Sequence, residues 1–164
     1  MAPINTSFSR LLGTHGWYED FAVGQKIEHA RASTVDELEG SFIAKQAMNT
    51  AQGHWNEHSP NPLVSGRLVF GLATASLVLG LSAQDTMEHA VSELSYGRFR
   101  FLAPVQHMDT VRAYSEVLDK RAHPERADAG VVVFKHYGVR QDEVVVFEGE
   151  RTGLIKKHAH WSEF

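Results

Sequence analysis

Residues 66–82 read GRLVFGLATASLVLGLS, the most helix-like apolar stretch of the chain and the one that decides its fold. At helical spacing, its large apolar residues cover most of the circumference: Leu68, Val69, Leu72, Leu77, Val78 and Leu81. A helix that is apolar on nearly all sides is buried. Small residues such as Gly71 and Gly80 would let neighbouring backbone approach closely. We therefore predict a long central helix from about Gly66 to Ser82, wrapped by a sheet.

The chain beyond this helix is rich in β-forming residues. We predict four strands, over about residues 93–101, 110–121, 129–140 and 143–155. The last two contain the run VVVF, at 131–134 and at 144–147, which favours β-structure strongly. The short turn at Gln141 and Asp142 predicts that these two strands form an antiparallel hairpin.

The chain before the central helix begins, from residue 17, with a turn that leads into a strand ending at about Ala32, and continues with a short helix over about 35–48. Thr34 and Glu37 match a capping box at the start of that helix. Four apolar residues of the short helix are expected to face inward: Leu38, Phe42, Ile43 and Ala47. Residues 49–64 contain two prolines and no periodicity, which indicates a loop long enough to suggest a function.

These elements follow the order strand, short helix, loop, long buried helix and antiparallel meander. The predicted fold class is therefore α+β, with one sheet curled round one helix. We expect a single domain over residues 1–164, with an N-terminal arm over 1–15 and a C-terminal tail over 156–164.

The composition favours an ordinary globular protein. Of the 164 residues, 43% are apolar and 22% are charged, which suits one folded domain. The net charge of −4 and the absence of a basic run argue against nucleic-acid binding. The chain has no cysteine, which excludes thiolate nucleophiles and thiolate zinc ligands. No signal segment or membrane-length apolar run is visible, so we expect a cytoplasmic protein that binds no membrane.

His54 is the first candidate functional residue, within the stretch MNTAQGHW at 48–55. An imidazole suits acid-base catalysis because its pKa lies near neutral pH. The alternative is a loop histidine that only bonds to backbone. Residues 54–58, HWNEH, also match an inverted zinc-protease motif. The prolines that follow disfavour the continuous helix that this motif needs, so we expect no metal site, and we expect His158 and His160 to lie in an exposed tail.

Ser65 and Gly66 stand at the predicted start of the central helix. Free backbone N–H groups at a helix N-terminus can polarise a carbonyl and stabilise a developing negative charge. Ser65 is then the expected N-cap, and the Gly66 N–H is the candidate donor. The alternative is that Gly66 only permits close packing.

Four segments resemble the MaoC-like branch of the hotdog fold, which contains R-specific enoyl-CoA hydratases and acyl-CoA dehydratases. They are WYEDFAVGQ at 17–25, NTAQGH at 49–54, LVSGRL at 63–68 and RFLAPVQHMDT at 100–110. The last is quite specific, and together the four extend over most of residues 17–155. The resemblance implies a hotdog domain that adds water to, or removes it from, an enoyl- or 3-hydroxyacyl-thioester.

The catalytic loop of this family reads Asp-x-Asn-Pro-x-His, and the present chain departs from it. His54 keeps its position, but Asn49 replaces the Asp, Ala51 the Asn and Gln52 the Pro. The resemblance implies that His54 is the acid-base residue and that Asn49 positions water or substrate. An amide can orient water, but it exchanges no proton at neutral pH. The alternative role for Asn49 is to cap the preceding helix.

The resemblance also implies substrate contacts from residues that flank the catalytic ones, namely Ser65, Val64, Gln52 and Arg100. Arg98 and Arg100 alternate with Phe99 and Phe101 along one strand. Arg100 could therefore meet a phosphate of coenzyme A, or it could form a salt bridge on a solvated sheet face.

The leading functional hypothesis is a hydro-lyase that acts on an acyl thioester of coenzyme A or of a carrier protein. No metal or redox cofactor is required, and coenzyme A or pantetheine is part of the substrate. A hotdog unit exposes one sheet edge, so we expect a homodimer or a higher homo-oligomer. The alternatives are a hotdog thioesterase, a conjugate-addition enzyme and a non-catalytic acyl-CoA-binding subunit.

Overall fold

The computed structural model describes residues 15–60 and 64–160. Within them, five strands form one antiparallel sheet: β1 Lys26–Thr34, β2 Ala90–Phe101, β3 Thr110–His123, β4 Arg126–Arg140 and β5 Val145–Lys156. Their order across the sheet is β1-β3-β4-β5-β2, so β1 and β2 are its edges. The predicted strands and the hairpin between β4 and β5 are confirmed.

One long helix, α2 (Gly71–Thr86), lies on the inner face of this sheet. Ala75 and Val78 of α2 are almost fully buried, as are Val111 and Phe147 in the strands that pack against them. The predicted α+β class, with one sheet curled round one helix, is confirmed.

Helix α2 begins five residues later than predicted. Gly66 has a φ of 87°, in the left-handed region, and takes no part in a helix. Leu68 instead forms a β-bridge with Gln106, and the Val69 N–H donates to the Val105 carbonyl at 2.8 Å. The segment between Gly66 and Phe70 is therefore held in place by the connection between β2 and β3.

The short helix α1 (Glu37–Gln46) is capped by a different residue from the predicted one. The Asp36 carboxylate accepts the Glu39 N–H at 2.6 Å, which satisfies one of the free donors at the helix start. Thr34 belongs to β1, where its hydroxyl bonds to the Thr110 hydroxyl at 2.7 Å. The predicted capping box at Thr34 is therefore wrong, because the strand continues through that residue.

The side of α1 that faces the protein is also different from the predicted one. Leu38 and Phe42 are 75% and 54% exposed, and Ile43 and Ala47 are exposed as well. The residues that α1 buries are small: Gly40, Ser41 and Ala44. The reason is close approach, since a Cβ at Gly40 would lie 2.9 Å from the His107 ring. The large apolar side chains are thus directed outward.

The described segments before β1 and after β5 contact each other. The predicted N-terminal arm lies outside the described residues, apart from His15. After β5, a 3₁₀ turn at His158–His160 follows, and the His158 N–H donates to the Glu19 carboxylate at 3.0 Å. Residues 161–164 of the predicted tail lie outside the described part. No helix in the described ranges is long and apolar enough to cross a membrane.

Candidate active site

His54 lies at the end of a short 3₁₀ turn, Gln52–His54, and is 9% exposed. Two hydrogen bonds connect this turn to Leu68, in the segment before α2. The Leu68 N–H donates to the Gly53 carbonyl at 2.8 Å, and His54 Nδ1 lies 2.7 Å from the Leu68 carbonyl oxygen. The Phe70 ring lies 5.5 Å from the imidazole, between ring centres. Both the turn and the ring are therefore positioned by the same extended segment.

The bond to Leu68 decides which nitrogen of His54 can act as a base. A carbonyl oxygen only accepts hydrogen bonds, so Nδ1 must carry the proton. In the neutral ring, Nε2 then has the free lone pair. The orienting group is a backbone carbonyl, whereas many catalytic histidines are oriented by a carboxylate.

Asn49 follows a Schellman motif at the end of α1. Met48 has a φ of 52°, and the Asn49 N–H donates back to the Ala44 carbonyl at 2.9 Å. The Asn49 side chain accepts the Ala51 N–H through Oδ1 at 2.9 Å. The backbone of Asn49, and not its amide group, therefore caps the helix. Its Nδ2 donates to no other described residue.

Gly66 lies beside the carboxylate of Glu57. A Cβ at Gly66 would lie 2.6 Å from Glu57 Oε1, and the positive φ of Gly66 further favours glycine. Among the described residues, none accepts a hydrogen bond from the Gly66 N–H. This donor is therefore free for a ligand, although it lies in a loop and not in a helix. The predicted dipole of a helix that starts at Gly66 is absent.

An apolar cavity of about 380 Å³ opens next to the segment that anchors His54. It is lined by the segment that leads into α2, by the end of β2 and by β5, and its lining residues include Leu68, Gly71, Phe101 and Val146. The Thr74 hydroxyl is a polar group among these walls and bonds to no other described residue. A second cavity, of about 240 Å³, lies between α1 and α2 and includes Ile43 and Leu77. Both volumes suit short acyl groups.

Comparison with known proteins identifies the family of this chain. The model of the mesaconyl-CoA hydratase family matches residues 19–157. The chain belongs to this family. The predicted MaoC-like resemblance is thereby confirmed.

Two curated relatives illustrate how much of a family member the chain represents. A beta-methylmalyl-CoA dehydratase of Chloroflexus aurantiacus is 33% identical over 121 residues, which are 73% of this chain and 34% of the relative. A mesaconyl-CoA hydratase of Cereibacter sphaeroides is 37% identical over 117 residues, which are 71% of this chain and 32% of the relative. The chain thus spans about a third of the length of the curated relatives it matches.

Solved structures confirm the hotdog fold. A MaoC-domain protein of Chloroflexus aurantiacus superposes with a TM-score of 0.81 at 25% identity, over 96% of this chain and 50% of that chain. A Mycobacterium tuberculosis protein with a double hotdog fold superposes with a TM-score of 0.71 at 20% identity, over 93% of this chain and 47% of that chain. The latter likeness shows the fold alone.

Three other predicted site residues of this mesaconyl-CoA hydratase family member belong to the His54 turn or to the segment just before Leu68. Ser65 is not an N-cap, because α2 begins at Gly71; its carbonyl instead accepts Gln106 Nε2 at 2.6 Å. Val64 is half-buried just before Ser65. Gln52 is exposed, and its carbonyl accepts the Trp55 N–H at 3.0 Å. These three residues lie around the His54 turn or its anchoring segment.

Arg100 lies apart from that group. Its guanidinium donates to Glu148 on β5 at 3.0 Å, and Glu148 also pairs with Lys135 on β4. The Lys135 ammonium lowers the pKa of Glu148, with a smaller contribution from Arg100. The partners of Arg100 are therefore sheet residues and not loop residues. The predicted contact with substrate remains a prediction.

The HWNEH segment does not form the helix that an inverted zinc-protease motif requires. The 3₁₀ turn ends at His54, and irregular turns follow it. Over residues 15–60 and 64–160, no three histidine, aspartate or glutamate side chains are grouped so that they could hold a metal ion.

Sequence reasoning missed Arg67, which lies directly after Gly66. Its guanidinium binds Glu57 at 2.8 Å and Glu37 at 3.2 Å. Glu57 raises the pKa of this guanidinium above its ordinary value. The signal was present as opposite charges on either side of the loop, but sequence alone does not show that the two sides meet.

Proposed function

We propose that this chain is a hotdog subunit that hydrates an enoyl-CoA thioester, or dehydrates a 3-hydroxyacyl-CoA thioester, with His54 as the acid-base residue. The observation that carries the proposal is that the segment before α2 holds two groups that are free to bind a ligand. His54 has a free Nε2 because its Nδ1 is bound to the Leu68 carbonyl. The Gly66 N–H, two residues before Leu68, has no acceptor among the described residues. Membership of the mesaconyl-CoA hydratase family supports the same reaction.

In the proposed hydration, a water oxygen forms a bond to the β-carbon while His54 Nε2 takes a proton from that water. The electron pair of the double bond moves toward the thioester oxygen, where the Gly66 N–H stabilises the negative charge. His54 then returns the proton to the α-carbon, and the thioester carbonyl is restored. One water is added, and no redox step occurs. Dehydration is the reverse.

Asn49 would position the water in this scheme. Its Oδ1 is fixed by the Ala51 N–H, which leaves Nδ2 to donate to the water oxygen. An amide exchanges no proton, so a single residue, His54, would both remove and return the proton. The apolar cavity beside Leu68 would hold the acyl chain. We propose that Val64, Ser65 and Gln52 contact the thioester arm.

The proposal includes a second hotdog unit. The chain covers half of the solved MaoC-domain protein and about a third of its curated relatives. The edge strand β2 is exposed along almost its whole length, and an open edge strand can pair with another chain. We propose a homodimer. The expectations of a cytoplasmic location, of no metal and of no redox cofactor belong to the same proposal.

The test is a spectroscopic assay with purified protein, using crotonyl-CoA and mesaconyl-CoA. Loss of absorbance at the enoyl-thioester band without release of free thiol is the expected result.

His54→Ala should lower turnover by at least about a hundredfold, because general acid-base catalysis contributes a rate factor of about 10²–10⁴. Asn49→Asp should raise turnover, since a carboxylate keeps the bond to the Ala51 N–H and can also exchange a proton. Full activity in His54→Ala would contradict the assignment.

Two structural features favour one alternative, a non-catalytic acyl-CoA-binding subunit. No described carboxylate bonds to His54, and the Asn49 side chain is engaged by its own loop. Acyl-CoA binding without turnover of any enoyl-CoA would support this alternative. Release of free thiol would instead indicate a thioesterase.

A further inference from the structure

We propose that Arg67 is a positioning residue, which fixes the loop that carries His54 to the segment that carries Gly66. This inference rests on the proposed function, because it concerns the geometry of the same site. The loop concerned, residues 47–57, is named here the His54 loop. It begins at the end of α1 and ends at Glu57.

The guanidinium of Arg67 binds the last residue of the His54 loop and the helix that precedes the loop. Arg67 Nε donates to Glu57 Oε2 at 2.8 Å, at the end of the loop. A terminal nitrogen lies 3.2 Å from the Glu37 carboxylate, and the other donates to the Ser41 hydroxyl at 3.1 Å. Glu37 and Ser41 belong to α1, which precedes the loop. A single planar group therefore connects α1, the end of the loop and the residue after Gly66.

Glu57 connects this cluster to the candidate carbonyl-polarising group. Its second oxygen, Oε1, packs against Gly66 so closely that a Cβ there would lie 2.6 Å away. Any movement of Glu57 would therefore change the surroundings of the Gly66 N–H. Since Arg67 holds the Glu57 carboxylate through Nε, Arg67 also sets how near that negative charge lies to Gly66.

Arg67 supplies the positive charge that the cluster needs. Glu37 and Glu57 converge on it, and without Arg67 two like charges would face each other across the loop. His107 also lies near, against Gly40 of α1, and both of its ring nitrogens are buried without a partner among the described residues. Burial, and then the charge of Arg67, lower the pKa of His107. A neutral His107 cannot replace the guanidinium.

The cluster should matter for rate much more than for stability. The Glu37 and Glu57 side chains are 71% and 57% exposed, and ion pairs with exposed partners contribute little to folding. A displacement of about 1 Å at a reacting group can cost about a hundredfold in rate. An effect on kcat without a comparable effect on folding would thus distinguish positioning from a general structural role.

The experiment compares Arg67→Met, Arg67→Lys and the double variant Glu57→Gln/Arg67→Met with the wild type. Arg126→Met is the matched control, because Arg126 forms a two-point ion pair with Asp128 at the other end of the sheet. The measurements are kcat and KM with crotonyl-CoA, the melting temperature, and hydrogen exchange of the backbone amides of residues 49–57.

Arg67→Met should lower kcat by about 30-fold or more with KM changed less than about threefold, and should speed amide exchange in the His54 loop. Its melting temperature should stay within about 4 °C of the wild type. Arg67→Lys should lie between the wild type and Arg67→Met, because it keeps the charge but not the fork. The double variant should recover part of the loss, since one of the two unpaired carboxylates is removed. Arg126→Met should match the wild type.

An Arg67→Met variant with kcat within about twofold of the wild type would overturn the inference. So would loss of kcat in step with a large fall in melting temperature, or Arg67→Lys no better than Arg67→Met. If the wild type turns over no enoyl-CoA, the proposed function fails. The amide-exchange comparison still tests whether Arg67 holds the His54 loop in place. Faster exchange in residues 49–57 alone would support it, and unchanged exchange would overturn it.

Discussion

At the scale of single residues, the backbone bond of His54 is compatible with a role in catalysis. The sequence leaves open whether His54 acts in catalysis or bonds to backbone. The structure has the backbone bond, through Nδ1 to the Leu68 carbonyl, and that same bond frees Nε2 for a base. His54 itself could be predicted from its loop. Its orienting partner could not, because a carbonyl leaves no mark in the residue types.

Another histidine, His136, is buried in a hydrogen-bonded chain that the sequence does not indicate. Asp85 lies 2.7 Å from His29 Nδ1, and Ser115 links His29 Nε2 at 2.7 Å to His136 Nδ1 at 2.6 Å. His29 must donate to the carboxylate, so in its neutral form Nε2 accepts the Ser115 proton, and Ser115 accepts from His136. His136 Nε2 then carries only a lone pair, and it is buried with no partner in the part of the chain that the structure describes.

The burial of His136 predicts acid sensitivity of the fold. Desolvation, and then the nearby His29, lower the pKa of His136 from 6.5 to about 3. In the unfolded chain, His136 therefore binds a proton with a pKa of about 6.5, whereas in the folded protein it stays neutral until the pH approaches 3. Stability is fully present above pH 6.5 and falls as the pH drops from 6.5 toward 3. At about 1.4 kcal/mol per pH unit, the free energy of unfolding should fall by about 2 kcal/mol between pH 6.5 and pH 5 because of His136.

Urea unfolding at pH 7.5 and pH 5 measures this loss. His136→Gln should remove about 2 kcal/mol of the pH dependence, since an amide can still donate to Ser115 but does not titrate in this range. His123→Gln, at the end of β3, is the matched control and should keep the wild-type pH dependence. An unchanged pH dependence in His136→Gln would contradict the role of this residue.

At the scale of elements, α2 shows what periodicity can and cannot predict. Its existence, length and burial follow from its apolar pattern, but its start does not. The pattern of residues 66–70 suits a helix, yet these residues pair with the connection between β2 and β3. Tertiary hydrogen bonds therefore outweigh the local preference. The inward face of α1 is also set by tertiary contacts, in this case by packing. Close packing against His107 requires Gly40 on that face, so the prediction that Leu38 faces inward is wrong.

Close approach of α2 to the sheet also depends on a glycine that the helix sequence does not contain. Of the two glycines predicted to allow it, Gly71 packs against the Phe101 ring, but a Cβ at Gly80 would meet nothing within 4 Å. The contact lies instead at Gly138 of β4, where a Cβ would be 2.5 Å from Val78. Val78 is fully buried, so it has no free space to enter.

Gly138→Ala should therefore destabilise the protein by about 1–3 kcal/mol, the usual cost of an added methyl group in a packed core. Chemical denaturation measures the change. In a chain that already carries Val78→Ala, the same Gly138→Ala substitution should cost less free energy of unfolding, because the smaller side chain leaves room for the added methyl group. Gly80→Ala is the matched control and should stabilise by about 0.5–1 kcal/mol, because it adds a helix-favouring residue in open space. A neutral Gly138→Ala would show that β4 can move away from α2.

At the scale of the whole molecule, the described residues of the hotdog unit include exposed apolar side chains on β2 and on α1. The edge strand β2 is exposed along almost its whole length, and Leu94 and Tyr96 are among its exposed large side chains. Leu38 and Phe42 form the outer side of α1. An open edge strand can pair with another chain. Sequence predicts the edge from the fold, but not the outer face of α1, which it assigns to the core.

The expected result of these surfaces is a homodimer in which the β2 strands of two copies pair. Sedimentation equilibrium should give twice the chain mass at micromolar concentration, and the melting temperature should rise with protein concentration. Leu94→Lys should shift the equilibrium toward monomer, because a lysine on an edge strand opposes strand addition. Val23→Lys is the matched control, since Val23 is an exposed apolar residue in a turn far from β2 in the sheet order.

The outcome also decides between two partners for the open β2 edge. An edge strand can pair with a second copy of this chain or with a different hotdog subunit. A wild type that stays monomeric at all concentrations would contradict the homodimer and direct the search to a different subunit. A dimer that Leu94→Lys and Val23→Lys leave equally intact would place the interface elsewhere, with α1 as the next surface to test. Only dissociation by Leu94→Lys alone is consistent with pairing through β2, because the matched charge at Val23 leaves that edge unchanged.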